Sequence, residues 1–214
     1  MIVPKGKKFL VGPINFLGPC LTKIITVQIS GTIVGPVTLK EWGWPNIIIR
    51  WIVFKNVDGL TVQGGGIINV RGNCWCENSC NNRNGKNRPG CSKTQPHSVN
   101  FISTSNSQLK DVTVTNSPKF HVTLLDLTNF NVTNLKVDSP EDSPNTDGLH
   151  SKALRMLASE TVTSGAATIV FPLATAAFTS TSMIAIADLG MESVSGLWGS
   201  VGTGQRLKKF MCKE

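Results

Sequence analysis

Short apolar runs recur along the first part of the chain, each bounded by Gly, Asn, Asp or Pro: residues 24–34, 51–62, 67–70, 99–102, 109–114, 120–125 and 132–137. Within several of them apolar and polar residues alternate, as in Val112-Thr113-Val114 and Leu135-Lys136-Val137. A period of two marks a strand with one buried face. A longer period overlies it. Leu109, Val112 and Val114 return as Val132, Leu135 and Val137, each 23 residues later, and Ser117-Pro118 returns as Ser139-Pro140, 22 residues later. An earlier copy, Val57, Leu60 and Val62, stands 52 residues before the Leu109 set, the length of two coils plus an inserted loop. Strands repeating at this interval without helices between them predict an all-β fold. It is a parallel β-helix, a single-stranded solenoid whose coils stack and bury a shared apolar column. A β-sandwich is the competing architecture, since regular short strands also suit it.

The repeat stops near residue 150, and composition turns with it. Residues 1–150 hold 17 Asn and no Ala, whereas residues 151–214 hold nine Ala and no Asn. The chain therefore divides into a partial β-helix over 1–152 and a poorly specified C-terminal segment over 153–214. A second domain or a membrane anchor are the ordinary explanations for such a break. Residues 161–187 carry no charge, but they include nine Ser or Thr and a central Pro172, with no flanking basic cluster, which argues against a membrane span.

Charge and cysteines narrow the function. The net charge is +8, yet the Lys and Arg residues are scattered, with no basic helix or cluster of the nucleic-acid-binding kind. A basic surface suits an acidic polysaccharide equally well, and a merely solvated surface is the plainer reading. Of six cysteines, Cys74, Cys76, Cys80 and Cys91 share one polar stretch, while Cys20 and Cys212 stand apart. The spacing lacks the paired units of a zinc site and predicts a disulfide-tied surface loop, hence an oxidising compartment and no metal. The strand-like Ile2-Val3-Pro4 directly follows Met1, so a secretion signal is expected to be missing from this chain. The sequon Asn131-Val132-Thr133 agrees with secretion.

The run Ser139-Pro140-Glu141-Asp142-Ser143-Pro144-Asn145-Thr146-Asp147-Gly148-Leu149-His150 resembles the first active-site motif of the plant-type polygalacturonase family, S-P-N-T-D-G-[IL]-H. Other pieces match that family in order and spacing: Val3-Pro4-Lys5-Gly6, Gly18-Pro19-Cys20, Gly31-Thr32-Ile33, Gly64-Gly65-Gly66-Ile67-Ile68, and Asn116-Ser117-Pro118 with Phe120-His121-Val122. The resemblance covers about residues 1–152. Cys76 departs from it, standing where the family usually has a second Trp after Trp75. The resemblance implies a right-handed parallel β-helix, a secreted monomer of the cell wall, and hydrolysis of polygalacturonic acid (the backbone of pectin) with inversion. In that chemistry one acid protonates the leaving oxygen while carboxylates opposite activate water. It implies no cofactor, no nucleic acid and no membrane partner. Residue by residue, Asp147 matches the water-activating carboxylate and Asn145 its neighbouring substrate contact. His150 takes no catalytic role, because the family's His belongs to a G-H-G motif, and His97 and His121 are expected to be structural. For Asp147 the alternative role is that of a turn residue before Gly148.

The family's other elements, G-D-D, G-H-G and R-I-K, are absent from residues 153–212. Two of them emerge when the chain is read one base out of register, joining the third base of each codon to the first two of the next. Ala166-Ala167-Thr168-Ile169-Val170-Phe171-Pro172 then yields G-D-D-C-I-S, and Asp188-Leu189-Gly190-Met191-Glu192-Ser193-Val194, with the preceding base G, yields G-P-G-H-G-I-S. The same offset turns residues 153–162 into S-I-E-N-V-S-I-R-D-C, and 207–212 into V-E-E-V-Y-V. The expectation is one base lost close to His150–Ser151, leaving a chain that carries one catalytic carboxylate of three and does not hydrolyse pectin. Two other readings stand beside it: a non-catalytic pectin-binding β-helix, and a pectate lyase. The lyase needs Ca²⁺ ligands and fits the N-T-D-G-L-H context less well.

Overall fold

The computed structural model describes residues 1–43, 49–80, 91–139, 148–164, 169–170 and 208–211, with side chains described through residue 155. Three short strands open the chain: β1 (Ile2–Val3), β2 (Lys8–Leu10) and β3 (Ile14–Leu17). Their successors are β4 (Ile25–Ile29) and β5 (Thr32–Val34), the short helix α1 (Leu39–Trp42), then β6 (Arg50–Lys55), β7 (Leu60–Gln63) and β8 (Ile67–Asn69). Helix α2 (Asn73–Glu77) opens the cysteine loop, and β9 (His97–Ile102) resumes the coils. The long strands β10 (Ser105–Thr115), β11 (Val122–Asp138) and β12 (Leu149–Ser164) follow, with β13 (Ile169–Val170) and β14 (Lys208–Met211) beyond.

Every strand pairing among the described residues is parallel, and the strands stack in three columns. One column runs β1, β4, β7, the first half of β10 and the middle of β11. A second runs β2, β5, β8 and the ends of β10 and β11. The third runs β3, β6, β9, the start of β11, the start of β12 and β13, with β14 added on β3. This is the right-handed parallel β-helix that the repeat predicts.

The 23-residue period is the pitch of one coil. Leu109 pairs with Val132, Val112 with Leu135 and Val114 with Val137. All six side chains point inward and are at most 2% exposed. Phe16, Phe54, Phe101 and Phe130 form an internal stack with successive centroid distances of 5.0, 5.3 and 4.9 Å. The earlier copy is misplaced by five residues. Val62 pairs with Leu109, an interval of 47 (109 − 62) rather than 52. The reason is that the inward positions before Leu109 hold buried Thr104 and Ser107, so an apolar pattern slides past them to Val112 and Val114.

The corners between columns explain the abundance of asparagine. Left-handed φ values recur at Ser103 and Asp126, at Asn106 and Asn129, and at Asp111 and Asn134, each pair 23 residues apart. Asn and Asp tolerate this conformation better than other side-chain-bearing residues. They also bond between coils: Asn129 donates to Asn106 at 2.9 Å, and Asn134 to Asp111 at 2.9 Å. Gly31 and Gly66 serve where coils approach most closely, since a Cβ on Gly66 would lie 2.3 Å from the Gly31 carbonyl oxygen.

The parallel ladder continues past residue 152, since β12 pairs with β11 as far as Ser164. Along this ladder Leu154, Leu157, Ser159, Val162 and Ser164 pair in register with Leu127, Phe130, Val132, Leu135 and Val137. In the cysteine loop, Cys80 is bonded to Cys91, whereas Cys74 is a free thiol that burial pushes up to about 11. Among the described residues no helix is long and apolar enough to cross a membrane. Most of 161–187 lies outside them.

Candidate functional site

Asn145 and Asp147 lie outside the described residues, but both ends of their segment are pinned. His121 is fully buried, and its Nε2 lies 2.8 Å from Ser139 Oγ and 3.1 Å from the Asp138 carbonyl oxygen, fixing the point where the chain leaves β11. At the return, the Val122 amide donates to the Gly148 carbonyl at 3.1 Å, and Leu149 pairs with Val122. One coil earlier the same device appears in simpler form. Ser98 and Ser117 hydroxyls bond to each other, and Ser117 Oγ donates to the Phe120 carbonyl at 3.0 Å. His121 is thus structural, as expected from the sequence: it anchors one end of the segment that carries Asp147.

The starts of the third-column strands bring together residues that sequence reasoning left apart. Arg50 pairs with His97 across β6 and β9. The His97 ring lies 4.6 Å from that of Phe120, and Phe120 stacks on His150 at 4.3 Å with 14° between planes. Lys119 Nζ sits 5.2 Å from the centre of the same Phe120 ring, a cation–π contact. His97 Nδ1 is 3.2 Å from Thr123 Oγ1. Burial, reinforced by Lys119, Arg50 and His150, pushes the His97 imidazole down to about 3. Burial, with Lys119 and Lys152, also lowers His150, and burial lowers the Arg50 guanidinium. Both rings are therefore neutral at ordinary pH, beside cations. Two buried atoms of this group have no hydrogen-bond partner, Arg50 Nε and His150 Nδ1.

His97, expected to be structural, packs on Phe120 and bonds to Thr123, and His150, expected to take no catalytic role, stacks on the same ring; the sequence reading gives Arg50 no role and Phe120 only a place in a matched run. A signal existed. Arg50, His97 and Phe120 each stand two residues before an inward member of one column, Ile52, Val99 and Val122. By contrast, the cavity of about 240 Å³ inside the first coil is lined by apolar residues such as Met1, Val3, Phe9 and Ile14, and offers nothing to a charged sugar.

The chain matches relatives over about 70% of its length. A polygalacturonase of Malus domestica is 38% identical over 150 residues, covering 70% of this chain and 31% of its own length. One of Persea americana is 37% identical over 150 residues with the same coverage, 70% and 31%. An exopolygalacturonase of Oenothera organensis is 36% identical over 154 residues, covering 70% of this chain and 39% of its own length. The chain thus spans about a third of the length of the curated relatives it matches. Among solved structures, the Thermotoga maritima exopolygalacturonase superposes with a TM-score of 0.57 at 18% identity, covering 77% of this chain and 44% of that one. The Erwinia carotovora polygalacturonase gives a TM-score of 0.53 at 15% identity, covering 73% and 48%, so the β-helical fold is shared. The model of the family described as Glycosyl hydrolases family 28 matches residues 1–170, and the chain belongs to that family.

Proposed function

We propose that this chain is part of a polygalacturonase-type glycosidase acting on polygalacturonic acid with inversion, in which Asp147 activates the attacking water and Asn145 contacts the substrate beside it. The observation that carries this reading is the pinning of the segment 140–147 at both ends, by His121 and Val122, within a family-28 β-helix. Inversion requires an acid on the opposite face of the scissile bond, with carboxyl groups roughly 6.5–9.5 Å apart to admit water. The pair of Asp residues that would supply it is encoded one base out of phase, so the chain as written is inactive. Secretion to the cell wall agrees with the Cys80–Cys91 disulfide.

The register of β12 supports the phase slip. Ala153 stands in the column of Ser103 and Asp126 and has φ 56, a left-handed alanine; the offset reading puts Ser there. Met156 stands next to Leu157, the partner of Phe130, and so continues the Asn106–Asn129 column; the offset reading puts Asn there. Thr161 continues the Asp111–Asn134 column, and the offset reading puts Asp there. Ser159 pairs with Val132, and the offset reading puts Ile there. Each change restores the residue type that the column calls for.

The test has two arms. Sequencing the gene across codons 148–195 should find the offset G-D-D and G-H-G codons, and an unrelated nucleotide sequence would dismiss the slip. Purified chain should release no reducing sugar from polygalacturonate, whereas a gene with one base restored near codon 151 should; clear hydrolysis by the chain as written would refute its inactivity. A second reading, a β-helix that grips pectin without cutting it, is favoured by the row Arg50, His97, Lys119 and Phe120, which lies wholly upstream of the slip.

A further inference from the structure

The row at the strand starts offers what an anionic sugar chain requires, and it leads from His150, beside the segment carrying Asp147, to Arg50 three coils away. We propose that Arg50 reads a substrate carboxylate at the far end of a binding row formed by Arg50, His97, Phe120 and His150. This deepens the polygalacturonate reading and rests on it.

These four residues sit at the starts of four consecutive coils. Coils repeat at about 4.8 Å, so the row extends roughly 14 Å, longer than one sugar ring. All four residues are half-buried, which leaves each partly open to solvent without being a floppy surface chain. At the near end, His150 Nδ1 has no protein partner and can serve a sugar hydroxyl, while stacking on Phe120 fixes the plane of its ring. Phe120 supplies an apolar face of the kind that packs against the C–H side of a sugar. His97, held by Thr123, is uncharged and fills the space between Phe120 and Arg50 without adding a competing ion.

Arg50 is the residue with an unmet requirement. Its Nε–H is buried and bonds to nothing, and a buried donor without an acceptor is costly. The Nε–Nη edge of a guanidinium is the edge that takes a carboxylate in two parallel hydrogen bonds. Lys119, over Phe120, adds positive charge along the same row. A uronate on Arg50 would satisfy the orphaned donor, and a neutral methyl ester would not do so as well. The row therefore distinguishes free from esterified uronate.

The experiment is affinity electrophoresis and calorimetry of the full chain against polygalacturonate, its fully methyl-esterified form, and galacturonate oligomers of two and of six units. Wild type should prefer the free acid. Arg50→Gln should lose about tenfold in affinity for polygalacturonate and the hexamer, with little change for the dimer or the ester. Arg50→Lys keeps the charge but not the fork and should fall between; it carries the test if Arg50→Gln melts earlier than wild type. Equal binding of polygalacturonate by wild type and both variants overturns the role of Arg50 and leaves the polygalacturonate reading standing. Failure of wild type to bind any free-acid form removes that reading and this one together.

Discussion

The coils of β10 and β11 and the coil of β12 share one backbone path but not one set of corners. In the first two, Asn106 meets Asn129 and Asp111 meets Asn134, and each of these residues sits in the left-handed region with its side chain bonded to the neighbouring coil. A third corner column joins Ser103 to Asp126, whose side chains bond at 3.0 Å, and in β12 it holds Ala153, left-handed as well but without a polar group to bond. Yet β12 pairs with β11 in unbroken parallel register from Leu149 to Ser164. The ladder reads only backbone groups, so it accepts almost any residue that is not Pro. Corners and inward columns read side chains. A solenoid's ladder can therefore continue through a coil whose corner residue differs from those of its neighbours.

The largest test of this contrast is in the core. Leu135 is fully buried between Val112 and the following coil, and Leu135→Ala should cost about 3 kcal/mol, read as a lower urea midpoint at unchanged slope. The register partner Val162, in the extension, should tolerate Ala for less than about 1 kcal/mol. Equal losses at the two positions would make β12 a coil like the others and remove the distinction.

The chain's own pattern made much of this visible. The 23-residue recurrence of Leu109, Val112 and Val114 is the coil itself, because a stacked column demands the same apolar residue at every turn. The 47-residue coil that includes the cysteine loop was obscured, since Thr104 and Ser107 occupy inward positions without announcing themselves as apolar. Asp147 was legible as a motif residue. The row beside its segment was not. Arg50, His97 and Phe120 are 47 and 23 residues apart and of three chemical types, so no local pattern joins them; only the register does.

The next effect concerns protonation. His97 has a folded value near 3 against an ordinary 6.5, so below pH 6.5 the unfolded chain takes up a proton that the folded chain refuses. Stability contributed by the neutral ring is complete above pH 6.5 and falls by about 1.4 kcal/mol for each pH unit below it, until pH nears the folded value. Denaturant titrations at several pH values should show this slope, and His97→Gln should flatten it. His150 sharpens the comparison, because it stands where β12 begins. If β12 is seated on β11, the His150 imidazole resonances titrate below 6.5, lowered first by burial and then by Lys119 and Lys152. Titration at the ordinary value would mean that the extension does not pack.

The smallest effect isolates a single corner. Ala153 holds φ 56, a conformation that costs an L-residue with a Cβ roughly 1–2 kcal/mol, and that Asn tolerates better. Ala153→Asn should therefore raise stability by about 1 kcal/mol, a shift of a few degrees in melting temperature. The reciprocal change, Asn129→Ala, should lower it by a similar amount, because it puts alanine into the same conformation (φ 52) and removes the hydrogen bond to Asn106. Neither substitution alters the buried columns, so the pair reads the corners alone. A gain at 153 matched by a loss at 129 would show that the two coils obey one rule that only one of them satisfies. No gain at 153 would mean that the β12 corner is not held in the left-handed conformation, and the strand would then owe its position to its ladder alone.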